Sequence, residues 1–148
     1  MKASDACIEL IKRFEGFRAQ MYLDAAGLET IGYGHLILVR ERDEYAQRRL
    51  TEGEATALLC DDLERFEVQI EDLVDAGLTQ NQFDALCCLV LNIGAGAFRK
   101  STLLKRLNEH DFDSAAAEFH RWNKAGGRVL SGLVRRRKAE AELFEGAN

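Results

Sequence analysis

Glu15, Asp24 and Thr30 are the residues of this 148-residue chain whose types and spacing could carry a reaction. Two carboxyl groups in different surroundings can divide acid and base work, one donating a proton while the other stays ionised. A hydroxyl beside the second can help hold a water molecule. Taken singly, each has an ordinary explanation. A glutamate at a helix end is usually solvated, an aspartate before a turn usually accepts from nearby backbone amides, and a threonine is a common strand residue. Their joint occurrence just ahead of Ile31-Gly32-Tyr33-Gly34-His35 singles them out.

The elements that must position them are legible from periodicity. Residues 3–15 carry Cys7, Ile8, Ile11 and Phe14 at helical spacing, with Ser4 or Asp5 as cap and Gly16 as terminator. Glu15 then stands at a helix C-terminus, where the macrodipole favours a protonated carboxyl group. Residues 19–23, 29–33 and 36–38 read as short strands of an antiparallel sheet, with Gly27 in the turn and Gly32 and Gly34 where backbone comes close. Asp24 thus falls in a loop and Thr30 at a strand start. Residues 40–50 are charge-dense and read as a loop or a short helix.

Thr51-Glu52-Gly53-Glu54 is a capping-box pattern that opens a long helix to about residue 74, with an acidic outer face suited to bridging two lobes. A second box, Thr79 to Gln82, opens a run apolar on nearly all sides through Asn92, which predicts a buried central helix. Helices are expected over 101–108, over 113–121 capped by Asp111 or Asp113, and over 131–144 after a flexible Gly126-Gly127 turn. The expected architecture is α+β in a single domain over 1–148. It comprises a small N-terminal antiparallel sheet lobe (16–50), a long connecting helix (51–75) and a helical lobe (1–15 and 76–148), with a cleft between the lobes.

Composition narrows the function classes. At 47% hydrophobic and 30% charged residues the chain reads as a soluble globular protein. No run approaches the ~20 apolar residues of a membrane span, and the N-terminus lacks the apolar core of a signal peptide. Cys7, Cys60, Cys87 and Cys88 lack metal-type spacing and read as reduced core thiols, consistent with a reducing cytoplasm. His35, His110 and His120 make no metal site with them, so neither metal nor cofactor is expected. The net charge of −5 conceals a basic third: residues 98–138 hold 11 basic and 4 acidic side chains, net +7. That stretch suits an anionic partner or a solvated helix surface. It has few interleaved aromatics and no nucleic-acid motif, so nucleic acid is not expected as a partner.

Phe14-Glu15-Gly16, the Tyr22-x-Asp24-x-x-Gly27 turn and Thr30-Ile31-Gly32-Tyr33-Gly34-His35-Leu36 together resemble the phage lysozyme family, the endolysins of the phage T4 type. The likeness continues through Gln82–Leu86, Asn92-Ile93-Gly94, Gly96–Phe98 and Ser101–Leu104, then Trp122–Lys124, Gly126–Arg128 and Gly132–Arg137. It spans roughly residues 5–145 and is weakest over 38–50.

The resemblance implies a lysozyme-like fold and a muramidase: an endolysin hydrolysing the β-1,4 bond between N-acetylmuramic acid and N-acetylglucosamine in peptidoglycan for host lysis. It implies Glu15 as general acid, with Asp24 and Thr30 positioning the attacking water and the anomeric centre inverted. It places Leu36, Leu91 and Ser101 along the saccharide groove, although packing accounts for each equally well. Leu91 and Ala116 depart from the aromatic and amide side chains of the T4 protein. His35 reads as a hydrogen-bonded structural residue near the site, and Arg135 and Arg136 read as solvated helix charges by default, the alternative being that one of them approaches Glu15 or the substrate's carboxylates. A monomer is expected, waiting in the host bacterial cytoplasm because no export signal is seen, and the family implies a separate holin-type permeabilising protein that lets it through. The rival readings are a lytic transglycosylase, which needs chiefly the acid, and a non-catalytic glycan-binding module.

Overall fold

The computed structural model describes residues 1–146, within which the chain divides into two compact units. One comprises residues 8–64, and the other joins 1–7 to 65 onward. Helix α1 (Asp5–Glu15) and helix α3 (Glu52–Leu73) each contribute residues to both.

The smaller unit is built on a three-stranded antiparallel sheet in the order β1 (Arg18–Leu23), β2 (Glu29–Gly32), β3 (His35–Leu36). An irregularity in β1 between Arg18 and Tyr22 leaves Tyr22 opposite Thr30, while Leu36 flanks Thr30 on the other side. Ile31, Tyr33, Tyr45, Leu50, Leu59 and Leu63 are buried in this unit, together with Ile8 and Ile11 of α1. The charge-dense stretch resolves into a 3₁₀ turn (Val39–Glu41) and the one-turn helix α2 (Arg42–Tyr45). Leu50 N–H donates to Ala19 O at 2.8 Å, tying the approach to α3 onto the sheet. The first capping box forms reciprocally: Glu54 N–H donates to Thr51 Oγ1 (3.1 Å) and Thr51 N–H donates to Glu54 Oε1 (3.0 Å).

The larger unit is helical. Its centre is α4 (Gln80–Ile93), opened by the second capping box and buried from Phe83 to Val90. Around it follow α5 (Ala95–Arg99), α6 (Thr102–Asn108), α7 (Phe112–Glu118), a 3₁₀ turn (Phe119–Arg121) and α8 (Ser131–Glu145), which packs against α4. Ser101 caps α6 and Asp111 caps α7. The Gly126-Gly127 pair forms a defined hairpin turn. It closes a hairpin of β4 (Lys124–Ala125) and β5 (Arg128–Val129), both glycines having positive φ as a two-residue type I′ turn requires.

Two expectations need correcting. Cys7, Cys87 and Cys88 are buried, but Cys60 lies exposed on α3; none is in a disulfide. Arg136 is almost wholly buried rather than solvated, whereas Arg135 is exposed as expected; the neighbouring Arg137 is entirely buried. Both buried arginines meet the fully buried Glu140 one turn on, with Arg136 Nε 3.2 Å and Arg137 Nε 2.8 Å from its carboxylate. Arg136 Nη2 also donates to Cys88 O (3.1 Å) and Arg137 Nη2 to Asn92 Oδ1 (2.8 Å), fastening α8 to α4. Only packing against α4 takes these charges from water, and i,i+3 and i,i+4 spacing to a glutamate was the signal for their pairing.

Candidate active site

Glu15 is the last residue of α1. Gly16, at φ +73°, ends the helix with its N–H on Lys12 O at 2.9 Å, and the half-buried Glu15 side chain turns toward the β2–β3 connection. A Cβ built on Gly34 would fall 2.8 Å from Glu15 Oε2 and 3.3 Å from its carboxyl carbon. The glycine therefore leaves the space the carboxyl group occupies, besides taking a φ of +80° that side chains rarely adopt. Phe17 and Tyr33 pack ring to ring at 5.5 Å, and Lys12 lies over Tyr33, bracing the two segments that present Glu15.

Asp24 begins a tight turn. Its Oδ1 accepts from the N–H groups of Ala26 and Leu28, both at 2.9 Å, while its own N–H donates to Leu28 O. Asp24 Oδ2 accepts no hydrogen bond from the described residues. Thr30 is only 2% exposed, and its hydroxyl donates to Leu28 O at 2.9 Å. Both candidate water-handling side chains thus grip the backbone of Leu28. With its proton committed there, the Thr30 hydroxyl can offer only lone pairs elsewhere.

Tyr22 is the residue that spacing alone did not single out. Burial raises its phenol pKa first, Glu15 and Asp24 raise it further, and Arg18, whose guanidinium lies 4.4 Å over the ring, opposes them. Tyr22 therefore stands in the field of both carboxylates and, through the β1–β2 pairing, opposite Thr30. Its place in Tyr22-x-Asp24 was the available clue. Leu36, 48% exposed next to Thr30 on β3, offers an apolar surface in the same unit.

His35 is held between two carboxylates: Nδ1 meets Asp62 Oδ2 at 2.8 Å, and Nε2 meets Glu41 Oε1 at 3.3 Å. Its pKa is raised, chiefly by the hydrogen bond to Asp62, with Glu41 adding to the effect and partial burial opposing it. The ring also packs edge-on against Tyr45. These contacts join β3 to α3 and leave no ring nitrogen for proton transfer at the site.

The structure places Glu15, Asp24, Thr30 and Leu36 in the smaller unit, and Leu91 and Ser101 in the larger. Leu91 is half-buried on α4. Ser101 donates from Oγ to Phe98 O (2.6 Å) and accepts from Leu104 N–H (3.1 Å), so its hydroxyl already serves as a helix cap. It also lines a cavity of about 430 Å³. A second cavity of about 590 Å³ is lined by Asn92, Ile93 and Leu133, and Arg121 and Trp122 border both. Among the described residues no cluster of His, Cys, Asp or Glu could hold a metal ion, and no helix is long and apolar enough to cross a membrane.

A helix-end glutamate, a turn aspartate with one oxygen unbonded and a threonine on the adjoining strand stand in one unit of an α+β protein, a set of groups that could divide acid and base work. The chain belongs to the phage lysozyme family, whose model, described as Phage lysozyme, matches residues 12–140. It is similar to the endolysin of Acyrthosiphon pisum secondary endosymbiont phage 1, 44% identical over 151 residues covering 99% of this chain and 100% of that protein. Among solved structures it is similar to the muramidase domain of SpmX from Asticaccaulis excentricus, with TM-score 0.88, 40% identity and 99% of each chain covered. A mutant of P22 lysozyme superposes with TM-score 0.88 at 39% identity, again covering 99% of each chain. The fold is lysozyme-like, and the protein is a glycoside hydrolase of the lysozyme class.

Proposed function

We propose that the protein is an endolysin that hydrolyses the β-1,4 bond between N-acetylmuramic acid and N-acetylglucosamine in bacterial peptidoglycan, with Glu15, Asp24 and Thr30 as its reacting side chains. The observation that carries this assignment is the seating of the Glu15 carboxyl group in the space Gly34 leaves, in the same unit as Asp24 and Thr30, which are both fastened to Leu28. Glu15 protonates the glycosidic oxygen, and the N-acetylglucosamine 4-hydroxyl leaves as an oxocarbenium-like centre forms at C1. Asp24 Oδ2 takes the proton of a water whose oxygen bonds to C1, and a Thr30 lone pair accepts that water's second hydrogen. Attack from the face opposite the leaving group inverts C1. Inverting pairs stand roughly 6.5–9.5 Å apart, which leaves room for the water. Leu36, Leu91 and Ser101 are assigned to contacts with the glycan. The enzyme acts as a monomer from the host cytoplasm, and a holin-type protein, implied by the family, admits it to the wall.

The test is digestion of purified peptidoglycan by wild type and Glu15→Gln, with new chain ends identified by mass spectrometry. Reducing muramic acid ends from wild type alone are expected. Anhydro ends would make it a lytic transglycosylase, and wild type that binds without cutting would make it a glycan-binding module. Proton NMR of the first product anomer tests inversion, and sedimentation velocity tests the monomer.

A further inference from the structure

From Phe119 to Ala139 the chain contains no carboxylate, while Arg121, Lys124, Arg128, Arg135 and Lys138 are all exposed within it. Arg121 pairs with Glu118 and Lys138 with Glu142. Lys124, Arg128 and Arg135 have no ion pair among the described residues. On a chain of net charge −5 this is a local reversal of sign.

The same segment exposes apolar side chains. Val129 is 58% and Leu130 43% exposed, and Val134 is similarly open. They are neighbours by backbone geometry. Lys124 pairs with Val129 and Ala125 with Arg128 across the hairpin. Leu130 N–H donates to Asn123 O, and Val134 N–H donates to Leu130 O, both at 3.0 Å, so the first turn of α8 continues the hairpin. The Arg135 guanidinium folds back to 3.8 Å from where a Cβ on Gly132 would lie. Val129 thus stands across from Lys124, Arg128 precedes it at the Gly-Gly turn, and Arg135 follows Val134 on α8, so exposed apolar side chains and cations without an ion pair alternate along one continuous segment.

We propose that the β4–β5 hairpin and the start of α8 form a docking element for an anionic phospholipid bilayer. The cations complement the lipid headgroups, and Val129, Leu130 and Val134 enter the headgroup–acyl boundary. A hydrated polyanion would be met by the charges alone; exposed apolar side chains interleaved with cations are what an interface with both a charged and an apolar layer requires. This contact does not depend on Glu15 or Asp24. For a wall hydrolase it would hold the protein beside the membrane.

The test is co-sedimentation of the full chain with phosphatidylglycerol-containing vesicles and with pure phosphatidylcholine vesicles, at low and high salt. Wild type should pellet with the anionic vesicles only and be released at ~0.5 M salt, where the screening length falls to a few ångströms. Arg128→Gln and Arg135→Gln should each weaken binding about fivefold, on the order of 25-fold together. Val129→Ser should weaken it and Val129→Trp strengthen it, with peptidoglycan hydrolysis unchanged in all four. Equal pelleting on both vesicles, no pelleting, or indifference to Val129→Ser and Val129→Trp would overturn the proposal. Capture by isolated peptidoglycan that falls with Arg128→Gln while vesicles go unbound would overturn it too, in favour of wall carboxylates.

Discussion

Gly34 and Glu15 occupy one space: a Cβ on the glycine would stand 2.8 Å from the glutamate's Oε2. The Gly-Tyr-Gly-His turn is thus a receptacle for the Glu15 carboxyl group as well as a change of direction. Gly27 supplies an internal comparison, with nearly the same φ (+79° against +80°) and nothing within 4 Å of its Cβ position. Alanine at either position should cost about 1–2 kcal/mol in backbone strain. Gly34→Ala should in addition displace Glu15 and lower turnover at least ~10-fold relative to Gly27→Ala. Thermal melts and hydrolysis rates on the two variants check this.

Asp24 has two separable duties. Oδ1 holds the turn through Ala26 and Leu28, and the proposed base is Oδ2. Asp24→Asn can keep the turn's acceptor while losing the charge, whereas Asp24→Ala loses both. Turnover should fall on the order of 100-fold or more in each. Stability should fall by about 1–3 kcal/mol only in the alanine variant. Urea denaturation alongside product assays separates the duties.

His35 binds a proton more tightly in the folded chain than unfolded, because Asp62 and then Glu41 stabilise its charged form. The stability this provides is complete below the ordinary histidine value of 6.5 and is lost as pH rises through the higher folded value. Unfolding free energy measured from pH 5 to 9 should show that loss. Asp62→Asn should reduce it and lower the His35 titration midpoint seen by NMR.

Glu140 faces both buried guanidinium groups of α8. Glu140→Gln leaves Arg136 and Arg137 buried without it and should destabilise the protein by about 3–5 kcal/mol. Denaturant titration gives the value; a loss below ~1 kcal/mol would mean that water reaches the pair.

Ser101 offers a test of capping against ligand contact. Ser101→Ala should cost about 1 kcal/mol through the lost cap, and Ser101→Asp should recover most of it. If the hydroxyl also touches the glycan, KM should stay raised in the aspartate variant although stability returns. Melting temperatures and Michaelis parameters on the same preparations distinguish the two.

What could be read directly were features set by neighbours in the chain. The two capping boxes, the Gly16 terminator, the buried face of α4 and the alternation of helix and short strand all follow from local periodicity and backbone chemistry. Each appears within a residue or two of its expected place. The family motif likewise pointed to Glu15, Asp24 and Thr30 without coordinates. Gly126-Gly127 was visible as a turn, but its hairpin depends on a cross-strand register that two-residue strands are too short to announce.

Burial of charge and convergence of distant residues required the tertiary structure. Arg136 and Arg137 look like surface cations until α8 packs on α4 and Glu140 faces them, because desolvation belongs to the packed state and not to the sequence. Tyr22 joins the site only through a β1 irregularity that sets it opposite Thr30. The Leu28 backbone couples Asp24 to Thr30 only once the turn closes. The sequence by itself determined the elements and the family and nominated the side chains proposed to react, since these rest on residue type and short-range spacing. Only the fold decided that Glu15 fills the space Gly34 leaves, that one Asp24 oxygen is committed to the turn, and that His35 lies between two carboxylates, because each depends on atoms brought together from separate elements.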